Sequence, residues 1–248
     1  DVVEMPADAA RASGARMFAR AGQEVRVDDL LAAMIVQSAN DAALALAQEV
    51  EGSEAAFVAR MNTEAGKLGL KQTRFANVSG HAQVGHQSSA ADIARLAQQL
   101  IVRFPDDYKR YFARREFTFN GMTQQNRNRL LWTDANVDGL KTGHTAQAGH
   151  CIAASAKRAG RRLIAVVLDA GSETNRAMYA QQLLNYGFLH TESVRYYKAG
   201  EAVAEYPLYK GSRNTIRLGF QQDFSLTLAQ GAANRLKAQI ITRQPFIA

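Results

Sequence analysis

The sequence predicts an α+β fold, in which an antiparallel sheet is backed by helices that include an all-helical subdomain, followed by a partial small all-β domain. Apolar residues recur at helical spacing through much of the first hundred residues. Beyond residue 115 the spacing changes to an alternation of two with two hairpins, and only short alternating segments follow Ser193. We therefore predict a large domain over residues 1–192 and an incomplete β-rich domain over residues 193–248.

Two helices and the turn between them are predicted near the start of the chain. Residues 28–36 are apolar on nearly every side, which is typical of a helix buried on most of its circumference. Residues 37–41 prefer caps and turns, and a stretch rich in alanine and leucine follows over residues 42–50. Ser38 and Asn40 are therefore predicted to lie at a helix–helix junction.

Serine caps predict two further helices. Ser53 precedes a helical stretch that runs towards Leu68. Ser89 and Asp92 have the spacing of a capping box, in which each side chain bonds to the backbone N–H of the other residue. That second helix is expected to end at about residue 104, because Pro105 cannot continue it.

The predicted sheet is built from two hairpins. The strand Glu116–Phe119 leads into Asn120-Gly121, whose residue types tolerate the positive φ of a tight turn. Apolar strands over residues 150–156 and 163–168 are joined through Ala159-Gly160. Because both of these strands are strongly apolar, we predict that both are central in the sheet.

One more helix precedes the β-rich region. Helical spacing returns over residues 174–186, and Gly187 is predicted as its C-cap. Short alternating segments over residues 203–209 and 224–228 then favour a small β domain.

The charge balance bears on the choice of partner. A formal net charge of +7 favours association with polyanions. The basic residues are scattered, however, and the tightest groups, around Arg110 and Arg161, carry no interleaved aromatic side chains on which bases would stack. We therefore expect a basic solvated surface and no nucleic-acid partner.

Neither a metal nor a cofactor is expected. Cys151 is the only cysteine, which excludes an internal disulfide and any multi-cysteine metal site, and we expect it to be buried as a small hydrophobe. His81, His86 and His150 lack the spacing of metal ligands and are expected in loops or at the surface.

Two short motifs indicate chemistry. Ser38-Ala39-Asn40 falls at the predicted helix–helix junction, and Lys141-Thr142-Gly143 precedes a predicted core strand. Motifs of this type accompany a Ser-x-x-Lys nucleophile in penicillin-interacting serine enzymes. A second Ser-x-Asn match at residues 212–214 lies in the β-rich region and has no helical junction around it.

The likeness extends beyond these motifs. Further matching segments are Gln37-Ser-Ala-Asn-Asp41, Leu68-Gly-Leu70, Phe117-Thr-Phe-Asn-Gly121, Asn126-Arg-Asn128, Asn136-Val-Asp-Gly139 and Lys141-Thr-Gly-His-Thr145. Over nearly its whole length the chain resembles the low-molecular-mass class C penicillin-binding proteins, the serine-type D-Ala-D-Ala carboxypeptidases of the bacterial periplasm. The resemblance implies their transpeptidase fold, which is also that of β-lactamases, and removal of the terminal D-Ala from peptidoglycan stem peptides through a serine acyl-enzyme that β-lactam antibiotics inhibit.

The resemblance also implies roles for individual residues. Ser38 would relay a proton, the Asn40 amide would hold the lysine base and a substrate carbonyl, and Lys141 would supply fixed positive charge. Thr142 would bind the substrate carboxylate, while Gly143 would let the substrate backbone lie along the strand edge.

Three further residues are predicted to act on the substrate. His144 would contribute its backbone N–H to the oxyanion hole. Arg127 and Arg176 are candidates for attracting the substrate carboxylate, and the alternative for both is an ordinary surface or sheet-bracing arginine.

The sequence departs from the family pattern in three places. No Ser-x-x-Lys occurs in it, the nearest approach being Ser155-Ala-Lys157, so this chain alone is expected to be inactive. Ser79-Gly80 stands where related enzymes often carry His-Gly. The C-terminal amphipathic anchor that would associate the full-length periplasmic protein with the inner membrane is also missing.

Two other functions stay open. The first is a non-catalytic relative that only binds stem peptides. The second is a class A β-lactamase, which predicts a glutamate-bearing loop that has no convincing counterpart between Phe104 and Asn136.

Overall fold

The computed structural model of the chain describes residues 1–236, 239, 241, 246 and 247. The chain forms two compact units, Asp1–Leu184 and Asn185–Ala248. The domain boundary after residue 192 stays a prediction, and residues 237, 238, 240, 242–245 and 248 of the predicted second domain lie outside the described residues.

The helices and strands lie largely in separate runs along the chain, which is typical of an α+β fold. The α-helices are α1 (Val27–Gln37), α2 (Asn40–Glu51), α3 (Glu54–Lys67), α4 (Ala90–Arg103), α5 (Pro105–Tyr111), α6 (Leu130–Thr133) and α7 (Glu173–His190). The strands are β1 (Val2–Glu4), β2 (Glu24–Arg26), β3 (Glu116–Phe119), β4 (Met122–Gln125), β5 (Val137–Thr145), β6 (Gly149–Arg158), β7 (Arg161–Ala170), β8 (Thr191–Tyr197), β9 (Ala202–Tyr209), β10 (Thr215–Gly219), β11 (Phe224–Ala229) and β12 (Phe246–Ile247).

Helices α1 and α2 form the main core of the first unit. Leu30, Val36, Ala42 and Ala45 are fully or almost fully buried, as the apolar pattern predicts. The predicted junction is confirmed: Ser38 ends α1, and Asn40 is the first residue of α2.

The caps of the next helices agree with the sequence only in part. The Ser89 hydroxyl accepts from the Asp92 N–H at 3.2 Å and so caps α4. The Asp92 carboxylate, however, accepts from Gln72 N and Thr73 Oγ1 instead, so only half of the capping box forms. Pro105 ends α4 as predicted and also begins α5, because the first helical position needs no N–H donor.

The sheet of the first unit has the order β5-β6-β7 and is antiparallel. Strands β6 and β7 are joined through Ala159-Gly160, both at positive φ, which confirms the predicted hairpin. Strand β6 is central, but the prediction that β7 is also central is wrong within the described sheet. There β7 is an edge strand covered by α4, and most of its side chains are only half-buried.

The predicted end of α7 is also wrong. Gly187 lies inside the helix, which continues to His190. Thr191 begins β8, and its hydroxyl donates to the Gly187 carbonyl at 2.5 Å. A carbonyl that finds this partner needs no left-handed cap at the glycine.

Short strands make up most of the described part of the second unit after α7. Strand β8 pairs with β11, and β9 pairs with β10 and β12. Tyr197, Phe220 and Phe224 stack there with ring centroids 5.0–6.3 Å apart.

Asp41 holds the segment that precedes β2 against α2. Its side chain is fully buried, and its carboxylate accepts from the N–H groups of Met17 at 3.0 Å and Phe18 at 3.1 Å. It also accepts from Ala42 N at 2.9 Å. This segment contacts the helix–helix junction, so Asp41 anchors one side of the surroundings of Ser38.

We expect Asp41→Ala to lower the free energy of unfolding by about 3 kcal/mol, because a buried N–H at Met17 loses its acceptor. Urea denaturation measures this change. Glu49→Ala removes the same charge from an exposed position on α2 and should cost less than about 0.5 kcal/mol. Equal losses in the two variants would contradict the anchoring role.

Candidate active site

A cavity of about 500 Å³ lies between the α1–α2 junction and strand β5. The segment 75–86 contributes a further part of its wall. Each site residue predicted from the sequence lines this cavity: Ser38, Asn40, Arg127, Lys141, Thr142, Gly143, His144 and Arg176. The fold therefore brings together two motifs that stand 103 residues apart.

Ser38 adopts a conformation that favours glycine. Its φ of 64° and ψ of 43° are left-handed, which costs a serine roughly 1–2 kcal/mol. Its hydroxyl accepts a hydrogen bond from Lys141 Nζ across the cavity. A strained residue at such a contact is typical of a functional position.

Asn40 joins the junction to the preceding segment. Its side-chain Nδ2 donates to the Ser13 carbonyl at 2.7 Å, and its backbone N–H donates to Ala15 O at 2.8 Å. Gly14, at a φ of 82°, leaves no room for a side chain beside Asn40 Nδ2. The Asn40 Oδ1 atom accepts no hydrogen bond from the described part of the chain, so this oxygen is free to bind a ligand.

The surroundings of Lys141 disfavour the charged form of its side chain. Burial, together with the nearby charges of Arg127 and Arg176, lowers the pKa of its ammonium group to about 8. Besides Ser38, Nζ donates to the Thr142 carbonyl at 2.9 Å. Two acceptors therefore hold an ammonium group that has little access to water.

Strand β5 presents an open edge to the cavity. It is the edge strand of the described sheet on the side opposite β7. A Cβ on Gly143 would meet no atom within 4 Å, and the φ of this glycine is not left-handed. Neither packing nor backbone conformation requires glycine here, so its effect is to keep the strand edge open.

His144 follows that glycine and is exposed. Its ring stacks on His150 of β6 with centroids 4.1 Å apart. Burial lowers the pKa of His150, and the proximity of His144 and Arg176 lowers it further.

Two asparagines direct Arg127 towards the cavity. Asn126 Nδ2 donates to Arg114 O at 2.9 Å, and Asn128 Nδ2 donates to Gly139 O at 3.0 Å. Both asparagines are buried, whereas Arg127 between them is exposed and lines the cavity.

Arg176 of α7 braces the end of β5. Only 3% of its surface is exposed, and its guanidinium donates to the carbonyls of Gly143 at 3.5 Å and Arg127 at 3.4 Å. It also lies 3.6 Å from Glu173. Arg176 thus both braces the sheet and lines the cavity.

The sequence identifies Ser79-Gly80 as a departure from the family pattern, but it does not predict that residues 77–81 form part of the cavity wall. The Asn77 side chain is buried, donates to His81 O at 2.9 Å and accepts from Gly80 N at 2.8 Å. Ser79 Oγ lies 2.8 Å from His81 Nδ1. Asn77, Ser79 and Gly80 are residue types that favour turns, but they do not predict that the turn faces a cavity.

Some expectations concern features away from these motifs. Cys151 is half-buried, not fully buried as predicted, because its Sγ turns towards the Ala148 carbonyl at 3.3 Å. In the part of the chain that the structure describes, no three metal-ligating side chains cluster. None of the described helices combines the length and apolar character needed to cross a lipid bilayer. The second Ser-x-Asn match lies between β9 and β10 in the second unit.

Known proteins with similar structures contain this architecture. Penicillin binding protein 5 from Haemophilus influenzae matches with a TM-score of 0.94 and 35% identity, over 100% of this chain and 74% of that one. Penicillin binding protein 6B from Escherichia coli matches with a TM-score of 0.82 and 37% identity, over 96% and 72% of the two chains. These likenesses confirm the predicted fold class.

The relatives found by sequence are named D-alanyl-D-alanine carboxypeptidases. D-alanyl-D-alanine carboxypeptidase DacA of Escherichia coli is 41% identical over 91% of this chain, and DacF of Bacillus subtilis is 36% identical over 97%. The chain spans 56% and 63% of the length of these two proteins. The family model for the C-terminal domain of penicillin-binding protein 5 matches residues 192–248. The D-alanyl-D-alanine carboxypeptidase model matches residues 1–172, and the chain therefore belongs to that family.

Proposed function

We propose that the protein containing this chain is a serine-type D-Ala-D-Ala carboxypeptidase that removes the terminal D-Ala from peptidoglycan stem peptides. The observation that carries the proposal is the contact of Lys141 Nζ with the Ser38 hydroxyl, beside the open edge of β5. Acyl transfer needs a relay for protons, fixed charge and a binding surface for an extended peptide. The cavity offers all three within one space.

The carboxylate of the substrate has a defined place in this proposal. Lys141, Arg127 and Arg176 make the cavity positive, and Thr142 lies next to Lys141 on its wall. A C-terminal D-Ala carboxylate binds there, while the preceding peptide lies along β5 in β fashion past Gly143. The scissile carbonyl then faces the backbone N–H of His144, which stabilises the oxyanion.

The nucleophile and its lysine base have to come from a Ser-x-x-Lys segment outside these 248 residues, since none occurs within them. In the complete protein, Ser38 relays a proton between that serine, its lysine and the leaving D-alanine. The Asn40 amide holds the lysine and a substrate carbonyl. Inhibition by β-lactams follows from the same acylation.

The family also suggests where the protein works. We infer a periplasmic location, with attachment to the inner membrane through a segment outside these residues. We also propose that residues 1–192 form a catalytic domain and that a β-rich domain follows it. The names of the relatives favour this enzyme over a protein that only binds stem peptides and over a class A β-lactamase.

The deciding experiment uses the protein together with the residues encoded upstream of Asp1. We expect a Ser-x-x-Lys there, release of D-alanine from a stem pentapeptide, and acylation by a fluorescent penicillin that is released slowly. Rapid release of the penicillin would identify a β-lactamase. Binding of the pentapeptide without release of D-alanine would identify a non-catalytic relative.

In that protein, Lys141→Ala should reduce both D-alanine release and penicillin acylation by at least about 100-fold, because the charge is fixed where the substrate carboxylate binds. Lys157→Ala, which removes an exposed lysine from neighbouring β6, serves as the control and should keep normal rates. Normal acylation of the Lys141→Ala protein would remove Lys141 from the site.

The charge of Lys141 should be measurable directly. A ¹³C NMR titration of lysine labelled at Cε should find the pKa of Lys141 near 8, so its charge is present below that pH and is lost as pH rises through it. Arg127→Gln removes a repelling charge and should raise this pKa. Arg129→Gln, two residues away, should not. Equal values in the two variants would contradict the assigned electrostatics.

A further inference from the structure

A polar cluster lies at the start of β5, and none of its members lines the cavity. Arg162 of β7 donates to both carboxylate oxygens of Asp138, at 2.6 and 2.7 Å, and to the Ser155 hydroxyl at 2.5 Å. The hydroxyl of buried Tyr108, on α5, donates to the same carboxylate at 2.8 Å. Asp138 therefore ties β5 to β7 and to a helix at once.

The backbone of β5 is irregular at this point. Val137 pairs with Ala156 and Gly139 pairs with Ser155, so Asp138 is an extra residue in the ladder. Such a bulge bends a strand and changes the direction of the side chains that follow. The backbone hydrogen bonds between β5 and β6 alone therefore do not fix the direction of β5 as it approaches Lys141.

Gly139 is held from two further directions. A Cβ at this position would collide with the Tyr108 hydroxyl, so the tyrosine lies directly against the glycine backbone. Asn128 Nδ2 donates to the Gly139 carbonyl at 3.0 Å. Lys141 follows two residues later, with one intervening residue, Leu140, that is itself buried.

The aromatic ring adds rigidity to the cluster. Tyr108 stacks on Phe112 with centroids 5.3 Å apart, and the Arg162 guanidinium lies 5.1 Å from the centre of the Tyr108 ring. A bidentate arginine–carboxylate pair has a preferred geometry, and the ring limits the positions that the pair can take.

We propose that Tyr108, Asp138 and Arg162 are positioning residues, which fix the start of β5 so that the Lys141 ammonium group meets the Ser38 hydroxyl inside the cavity. The catalytic consequence rests on the proposed function. The structural consequence does not, because the place of Lys141 can be measured without any reaction.

The test measures the pKa of Lys141 by NMR in Asp138→Asn, which keeps the side-chain volume and removes the charge. If β5 loosens, the ammonium group regains water, and its pKa should rise from about 8 towards the ordinary value of a lysine. Tyr108→Phe, which keeps the ring stacked on Phe112, is the milder second variant and should shift the pKa in the same direction.

Asp134→Asn is the matched control. Asp134 also bonds an arginine of the same sheet, Arg158, at 2.7 Å, but it lies in the turn before β5. Its loss should lower the melting temperature and leave the pKa of Lys141 at about 8. The proposal is overturned if neither Asp138→Asn nor Tyr108→Phe moves this pKa in a folded protein, or if Asp134→Asn moves it equally.

Acylation supplies the catalytic readout in the protein that includes the upstream residues. Asp138→Asn should slow penicillin acylation roughly tenfold, because a displaced group loses its alignment with the reacting atoms. The acylation rate should fall at high pH as Lys141 loses its proton. The pH at which it falls should rise in Asp138→Asn together with the pKa of Lys141. If the unaltered protein is not acylated at all, the proposed function fails, and the NMR titration still decides the positioning role.

Discussion

Three positive side chains, Arg127, Lys141 and Arg176, lie around one cavity, and their mutual repulsion is the constraint that its surroundings have to satisfy. The fold opposes this repulsion with neutral acceptors and one carboxylate. Ser38 and a backbone carbonyl hold Lys141, while two backbone carbonyls and Glu173 hold Arg176. Charges fixed in this way cannot relax towards water, so an entering carboxylate meets a site that is already organised for it.

Local signals in the sequence were sufficient to predict several helix caps and tight turns of the fold. Ser53 accepts from Ala56 N at the start of α3, and Asn120-Gly121 adopts the positive φ that its turn requires. A cap or a tight turn involves neighbours within a few residues, so its chemistry is visible in a short stretch of chain. The α1–α2 junction at Ser38 was predictable for the same reason.

Contacts between distant segments account for what the sequence did not show. Asp92 bonds to Gln72, twenty residues earlier, in preference to its own helix cap. The wall at Asn77 carries turn residues whose orientation only the tertiary fold determines. Nothing in composition or spacing brings Ser38 to Lys141 either. That juxtaposition was expected from the family resemblance, and the structure places the two side chains in contact.

The left-handed backbone of Ser38 has an evolutionary consequence. Glycine would adopt the same φ and ψ without strain, but it would take one acceptor away from the buried Lys141 ammonium group. The hydroxyl group therefore sets the residue type at position 38, against the preference of the backbone. Selection for the contact with Lys141 and selection for an unstrained backbone act there in opposite directions.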